Sequence, residues 1–89
     1  MRAQARRKKA RMRFALYYSN APAPKALTRE QLERLMPVYF SSEEDAIHGA
    51  ALVIRGAHYP WLIEAPGVRL DAMEIGRRCE PILQLLRKT

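Results

Sequence analysis

The chain has few of the residues from which catalytic and metal sites are usually built. Its 89 residues include one cysteine, Cys79, which excludes an internal disulfide. The only histidines, His48 and His58, are ten residues apart, whereas zinc sites use ligands paired at close spacing. The four glycines are scattered and form no glycine-rich phosphate loop. We therefore expect no cofactor and no metal site.

Long apolar runs are also absent. The longest, residues 50–54, has five residues, whereas a membrane-spanning helix needs about 18 to 20. The apolar residues 14–18 follow a basic start, but they are too few for the core of a signal peptide. The basic start has no serine and no amphipathic pattern, unlike a mitochondrial presequence. These absences favour a cytoplasmic protein without a membrane partner.

Acidic residues are missing from the beginning of the chain. The first 13 residues contain no Asp or Glu and seven basic side chains: Arg2, Arg6, Arg7, Lys8, Lys9, Arg11 and Arg13. Without these seven, nine of the 16 Lys and Arg remain against nine Asp and Glu, so the net charge of +7 belongs to this segment. A block of like charges stays solvated and attracts polyanions. We predict a disordered basic N-terminal arm, residues 1–12, before a single folded domain, residues 13–89.

The basic arm also has an interpretation without function. Met12 is followed directly by an alternating apolar segment that is typical of a first strand. A protein that started at Met12 would lack residues 1–11, and the arm would then be incidental. The sequence does not distinguish a start at Met1 from a start at Met12, so both remain open.

Hydrophobic spacing and capping residues predict four strands and four helices. The predicted strands cover residues 13–18, 38–40, 59–65 and 68–70. Three helices are expected to begin at residues whose side chains accept hydrogen bonds from free backbone N–H groups, namely Thr28, Ser41 or Ser42, and Asp71. We expect Gly56 to end the second helix in the left-handed conformation. Pro81 fits the first turn of a last, short helix.

The element order β-α-β-α-β-β-α-α lacks the regular alternation of a parallel sheet. We predict a small two-layer α+β domain, with helices on one face of a mostly antiparallel sheet of three or four strands. Phe40, Trp61 and Ile63 are expected to face the helices as core residues. Gly76 and Cys79 are expected on the buried stripe of the third helix.

The opposite face of the predicted sheet carries tyrosines beside arginines. Open sheets with this combination bind unpaired bases in some proteins, because the rings stack on bases and the cations contact phosphates. The candidate nucleic-acid-binding residues are therefore Tyr17, Tyr39 and Arg69, together with Arg13 and the six basic residues of the arm. Strand propensity alone also favours tyrosine, so we favour the simpler interpretation, in which these side chains cover the sheet or pack under the last helix or a dimer partner.

A catalytic site is not indicated. His58 and Cys79 are the only base and thiol that could pair, but a nucleophile must be exposed, and Cys79 lies on a stripe expected to be buried. The acidic residues 43–45 are explained by the start of a helix, where the dipole favours anions. We expect a protein that is not an enzyme.

Two hypotheses about function follow. In the first, a small binding protein contacts nucleic acid, or another acidic partner, without sequence specificity through its basic arm. In the second, the chain is a protein-interaction or structural module, with homodimerisation open, and the arm is incidental.

Overall fold

The computed structural model describes residues 13–88, which form one four-stranded antiparallel sheet and three helices. The strands are β1 (Phe14–Ser19), β2 (Val38–Phe40), β3 (Tyr59–Ala65) and β4 (Val68–Asp71). The helices are α1 (Arg29–Glu33), α2 (Glu43–Arg55) and α3 (Ala72–Lys88). The strand order in the sheet is β2-β1-β3-β4. The predicted α+β class with its antiparallel sheet is confirmed, whereas the predicted disorder of residues 1–12 concerns residues outside the described part.

Local side-chain chemistry begins each helix where the sequence predicted. The Thr28 hydroxyl accepts a hydrogen bond of 3.1 Å from the backbone N–H of Gln31. In return, the side-chain oxygen of Gln31 accepts a hydrogen bond of 2.9 Å from the backbone N–H of Thr28. Ser42, rather than Ser41, begins α2 and accepts a hydrogen bond from the N–H of Asp45. Asp71 does the same for α3. These bonds satisfy N–H groups that have no partner inside the helix.

Helices α2 and α3 pack on one face of the sheet and on each other. Most of the core lies between these layers. Its side chains are aliphatic apart from the aromatic ring of Phe14 and the thiol of Cys79. The core residues are Phe14, Leu16, Ala46, Ile47, Ala50, Ala51, Ile63, Ala65, Leu70, Ile75 and Cys79. Three alanines of α2 let the helix approach the strands closely. Gly49 has the same role at β2, because a Cβ there would collide with the ring of Phe40. Phe40 is thus packed against the core, as predicted.

The sequence predicted two helices after β4, but the structure has a single helix, α3, in their place. Helix α3 runs through Pro81 without interruption. Proline has no N–H, so the carbonyl of Arg77 lacks its usual helical donor, but this turn is exposed and water can replace the bond. Gly76 was wrongly placed on the buried stripe of this helix. It is exposed, with nothing near its Cα that a side chain would meet.

The connection between β1 and β2 crosses the face of the sheet opposite to α2 and α3. Near its beginning, the carbonyl of Ala21 accepts a hydrogen bond of 2.7 Å from the Trp61 indole N–H on β3. It then forms α1, whose Arg29 bonds to Glu64 on β3. Because Glu64 alternates with the core residue Ile63, it lies on the opposite face. We call this surface the outer face; its strand residues are Ala15, Tyr17, Tyr39, Leu62, Glu64, Arg69 and Asp71.

The prediction that Trp61 is a core residue beside Ile63 was wrong. In the pairing of β1 with β3, Tyr17 lies opposite Leu62 and Tyr18 opposite Pro60, so Trp61 is an extra residue in a β-bulge. The bulge turns its side chain out of the core cluster and under the connection that precedes α1.

The end of α2 also differs from the prediction by one residue. Gly56 has a φ of −86°, and the left-handed residue is Ala57, with a φ of 67°. The N–H of His58 bonds to the carbonyl of Val53 and that of Ala57 to Ile54, which is the Schellman arrangement. In contrast, the turn between β3 and β4 uses its glycine as expected, since Gly67 has a φ of 75°.

We predict that Ala57→Gly stabilises the domain by about 0.5–1 kcal/mol, because alanine has a steric cost in the left-handed region that glycine does not have. Denaturant unfolding would measure the change. Gly56→Ala makes the opposite change at a negative φ, where the nearest atoms lie 3.5 Å or more from the added Cβ. It should also stabilise the domain, by about 0.4–1 kcal/mol, because alanine restricts the unfolded chain. A loss of stability in Ala57→Gly would contradict the assignment.

Candidate nucleic-acid interface

The basic arm joins the sheet beside an exposed tyrosine. Arg13 is the last of the seven basic residues and immediately precedes β1. Its guanidinium lies over the ring of Tyr39 on the edge strand β2, with Cζ 4.9 Å from the ring centroid. Such a cation–π contact contributes about 0.5–1 kcal/mol at an exposed site. Tyr39 remains 52% exposed, so the contact leaves much of its surface open to other molecules.

Cross-strand pairing places the outer-face residues in rows. One row runs across the sheet from Tyr39 through Ala15 and Glu64 to Arg69. Tyr39 and Arg69 are therefore on opposite edge strands, with two strands between them. Tyr17 belongs to the next row, opposite Leu62. All the predicted sheet residues lie on the predicted face, but only Arg13 and Tyr39 are in contact.

A carboxylate between two arginines occupies the middle of the outer face. Glu64 accepts two hydrogen bonds from Arg29, of 3.2 and 2.8 Å, and a longer one of 3.5 Å from Arg69. The hydrogen bond from Arg29, with the charges of Arg29 and Arg69, lowers the pKa of Glu64 below its ordinary value, although partial burial acts in the opposite direction. The same bond raises the pKa of Arg29. The charges of Arg29, Arg69 and Glu64 sum to one net positive charge.

The outer face is not the open platform that the sequence suggested. Leu62 and Ala15 on this face are buried, and so is Leu32 of α1, although none of them belongs to the main core. Helix α1 and the loop before it cover the middle of the sheet, and Tyr17 is half-buried. Of the two tyrosines predicted on this face, only Tyr39, at the β2 edge, is exposed.

The remaining predicted residues are placed as follows. The arm residues Arg2, Arg6, Arg7, Lys8, Lys9 and Arg11 lie outside the described part of the chain. Arg69 is exposed but engaged with Glu64. Sequence reasoning missed Arg29, which holds α1 on the sheet. The sequence shows only that Arg29 follows the Thr28 cap at the start of a helix. Nothing in the local pattern indicates that its partner is Glu64, 35 residues away.

The described residues also bear on three other features: a reactive thiol, a metal site and a membrane-spanning helix. Cys79 is buried on α3, its thiol donates a hydrogen bond to the carbonyl of Ile47, and burial raises its pKa to about 11. A thiolate is therefore disfavoured at neutral pH. Between residues 13 and 88, no group of three His, Cys, Asp or Glu side chains is arranged to hold a metal ion. No helix in the same range is both long and apolar enough to cross a membrane.

Comparisons with known proteins add no family to this description. No protein-family model matches the chain, and neither a curated protein nor a solved structure matches it.

We predict that Glu64→Gln lowers the thermal unfolding midpoint at neutral pH, because Arg29 loses a charged partner. The pKa of Glu64 is lower in the folded state than its ordinary value of 4.5, so the stabilisation is present above that pH and is lost as the pH falls through the folded value. The difference between wild type and Glu64→Gln should shrink accordingly in melts below about pH 4.5. Glu30→Gln, at an exposed position of α1, is the matched control. Equal melting of both variants at neutral pH would show that the Glu64 contacts do not stabilise the fold.

Proposed function

We propose that this protein is a small, non-enzymatic protein of the cytoplasm that binds nucleic acid without sequence specificity through its basic N-terminal arm. Lys and Arg at the density of this segment bind phosphates mainly by releasing counterions, a mode that does not depend on the bases. The rest of the chain has equal numbers of basic and acidic residues, so the domain supplies a scaffold rather than a second cationic field.

The observation that carries this proposal is the contact between Arg13 and Tyr39. It places an exposed aromatic ring at the position where the seven-cation segment enters the sheet. A strand whose phosphates are held by the arm would thus reach Tyr39 first, and an unpaired base could stack on the part of the ring that Arg13 does not cover. Tyr17 and Arg69 are less accessible to such a strand, because Tyr17 is half-buried and Arg69 bonds to Glu64.

A steep salt dependence is the first expected result. Seven cations neutralise at most about seven phosphates, so the slope of log K against log salt on duplex DNA should be no steeper than about −6. Deletion of residues 1–11 leaves only Arg13 of the seven and should remove most of that slope. Fluorescence anisotropy with labelled duplexes of different sequence, at several salt concentrations, would measure both quantities.

Net charge must be separated from the arm in this experiment. One variant replaces Arg6, Arg7, Lys8 and Lys9 by Gln, and its control replaces Arg34, Arg55, Arg77 and Arg87, which are exposed on the domain. Both variants lose four positive charges. Only the arm variant should lower the magnitude of the slope, by about 3 to 4. If the two variants bind equally, or if neither the full chain nor the truncated chain binds at low salt, the proposal is rejected.

A second prediction concerns Tyr39. Stacking of a base on an aromatic ring contributes about 1–3 kcal/mol, so Tyr39→Ala should weaken binding of single-stranded oligonucleotides by about tenfold or more and leave duplex binding nearly unchanged. Tyr59→Ala is the control, since Tyr59 is also an exposed strand tyrosine (42%) but lies at the start of β3. Equal losses in both variants would exclude a specific stacking position at Tyr39.

The alternative, a protein-interaction module, has one observation in its favour. The edge strand β2 and the residue before Pro37 expose apolar side chains, with Met36 86% and Val38 42% exposed. Exposed apolar residues on a sheet edge are suited to pairing with another chain. Failure of nucleic-acid binding in the experiments above would make this the better account.

A further inference from the structure

A second concave region lies on the outer face, lined by residues other than Arg13 and Tyr39. It is a hollow of ≈ 470 Å³ between the loop before α1 and the start of α3, within the size range of small-ligand sites. We call it the Trp61 hollow. Its apolar lining includes Pro24, Leu27, Trp61, Leu62 and Met73. No step of the proposed function uses it.

Trp61 is held in this hollow in a fixed orientation. The β-bulge turns the side chain away from the core, and the hydrogen bond of 2.7 Å from the indole N–H to the Ala21 carbonyl fixes the ring. The only polar atom of the indole is thereby satisfied by the protein itself. What the ring presents to a ligand is an apolar aromatic surface, which suits stacking with another planar ring.

Charged groups line the same hollow. Lys25, Arg69 and Asp71 give it one net positive charge. Arg69 is the weaker partner of Glu64, because its hydrogen bond is 3.5 Å long, whereas the two hydrogen bonds from Arg29 are 3.2 and 2.8 Å long. Its guanidinium can therefore turn to an anion without leaving Glu64 unpaired. Asp71 uses one carboxylate oxygen to cap α3 at Glu74, and its second oxygen can accept from a ligand N–H.

The spacing of these groups fits one class of ligand. Leu62, beside Trp61, is paired with Asp71, and Arg69 is two residues away on the same face of β4, which corresponds to about 7 Å along a strand. A planar ring on Trp61 would therefore have Asp71 on the neighbouring strand, with Arg69 about 7 Å further along the same face of β4. Nucleotides combine a planar base that carries N–H donors with a phosphate at that separation.

We propose that the Trp61 hollow binds a nucleotide, with the base stacked on Trp61 and the phosphate bound by Arg69 and Lys25. The nucleotide is either free or the terminal residue of a single strand. This site goes beyond the proposed function and does not require the basic arm, since every residue that forms it belongs to the domain.

The single tryptophan makes the site directly measurable. Trp61 fluorescence of the full chain is titrated with adenosine 5′-monophosphate, with adenosine, with inorganic phosphate and with a short single-stranded oligonucleotide. A saturable change with adenosine monophosphate, at lower concentration than with adenosine, is expected, because the phosphate adds a charged hydrogen bond. Saturation by the oligonucleotide alone would assign the site to a strand terminus, whereas saturation by the mononucleotide assigns it to a free nucleotide.

Two variants test the assigned contact. Arg69→Gln should weaken binding of the saturating probe about tenfold, since it removes the phosphate contact while Glu64 keeps Arg29. Arg77→Gln removes a similarly exposed arginine from α3, outside the Trp61 hollow, and should have no effect. No saturable change with any nucleotide probe, or equal weakening by both variants, would overturn the proposal.

The same titration on a chain without residues 1–11 separates this proposal from the proposed function. A retained response to the saturating probe, with loss of the steep salt dependence on duplex, supports both proposals. Loss of the response to a mononucleotide on deletion of the arm would assign that response to the arm and contradict an independent site. Failure of duplex binding has no bearing on the Trp61 hollow.

Discussion

The placement of the connection between β1 and β2 determines which surfaces this protein has. These strands are antiparallel neighbours, yet they are joined by a long segment rather than a tight turn. That segment passes the start of β3, crosses the outer face as α1 and returns at the β2 edge. Two contacts hold it: the Trp61 indole bound to the Ala21 carbonyl, and Arg29 bound twice to Glu64. Both partners on the sheet belong to β3, which is a central strand and therefore a rigid base for them.

Because the connection crosses one face of the sheet, the packing against the two faces differs. Between the sheet and helices α2 and α3, small side chains allow close packing, and the buried residues are apolar. On the outer face, burial is confined to a few aliphatic residues such as Leu62 and Leu32, with an exposed ion pair beside them. An exposed ion pair contributes little free energy by itself. Together with the buried Leu32, it nevertheless connects α1 to the sheet, and the position of α1 affects which aromatic side chains are covered.

Several features that depend on neighbouring residues could be read from the sequence, although the left-handed position after α2 and the course of the helix at Pro81 were not. Features that depend on distant residues could not be read. The Thr28–Gln31 capping box, the Ser42 cap and the Gly67 turn each follow from side-chain chemistry within four residues, and the structure contains all three. The bulge at Trp61 arises from the pairing of two strands more than 40 positions apart, which alternation within one strand cannot show. The position of α1 depends on a bond between residues 29 and 64 for the same reason. For the strand residues Tyr17, Tyr39 and Arg69, the sequence thus predicted the face of the sheet but not how accessible each side chain is.

The Arg29–Glu64 pair also divides the accessible parts of the outer face. On one side is the β2 edge, where Tyr39 adjoins the point of entry of the basic arm. On the other side is the Trp61 hollow, formed by the loop, β4 and the start of α3. Arg69 links the two regions through Glu64, because movement of its guanidinium toward a ligand would leave Glu64 to Arg29 alone. A ligand in the hollow would therefore change the charge balance at the centre of the face without moving α1, since the two shorter hydrogen bonds from Arg29 remain in place.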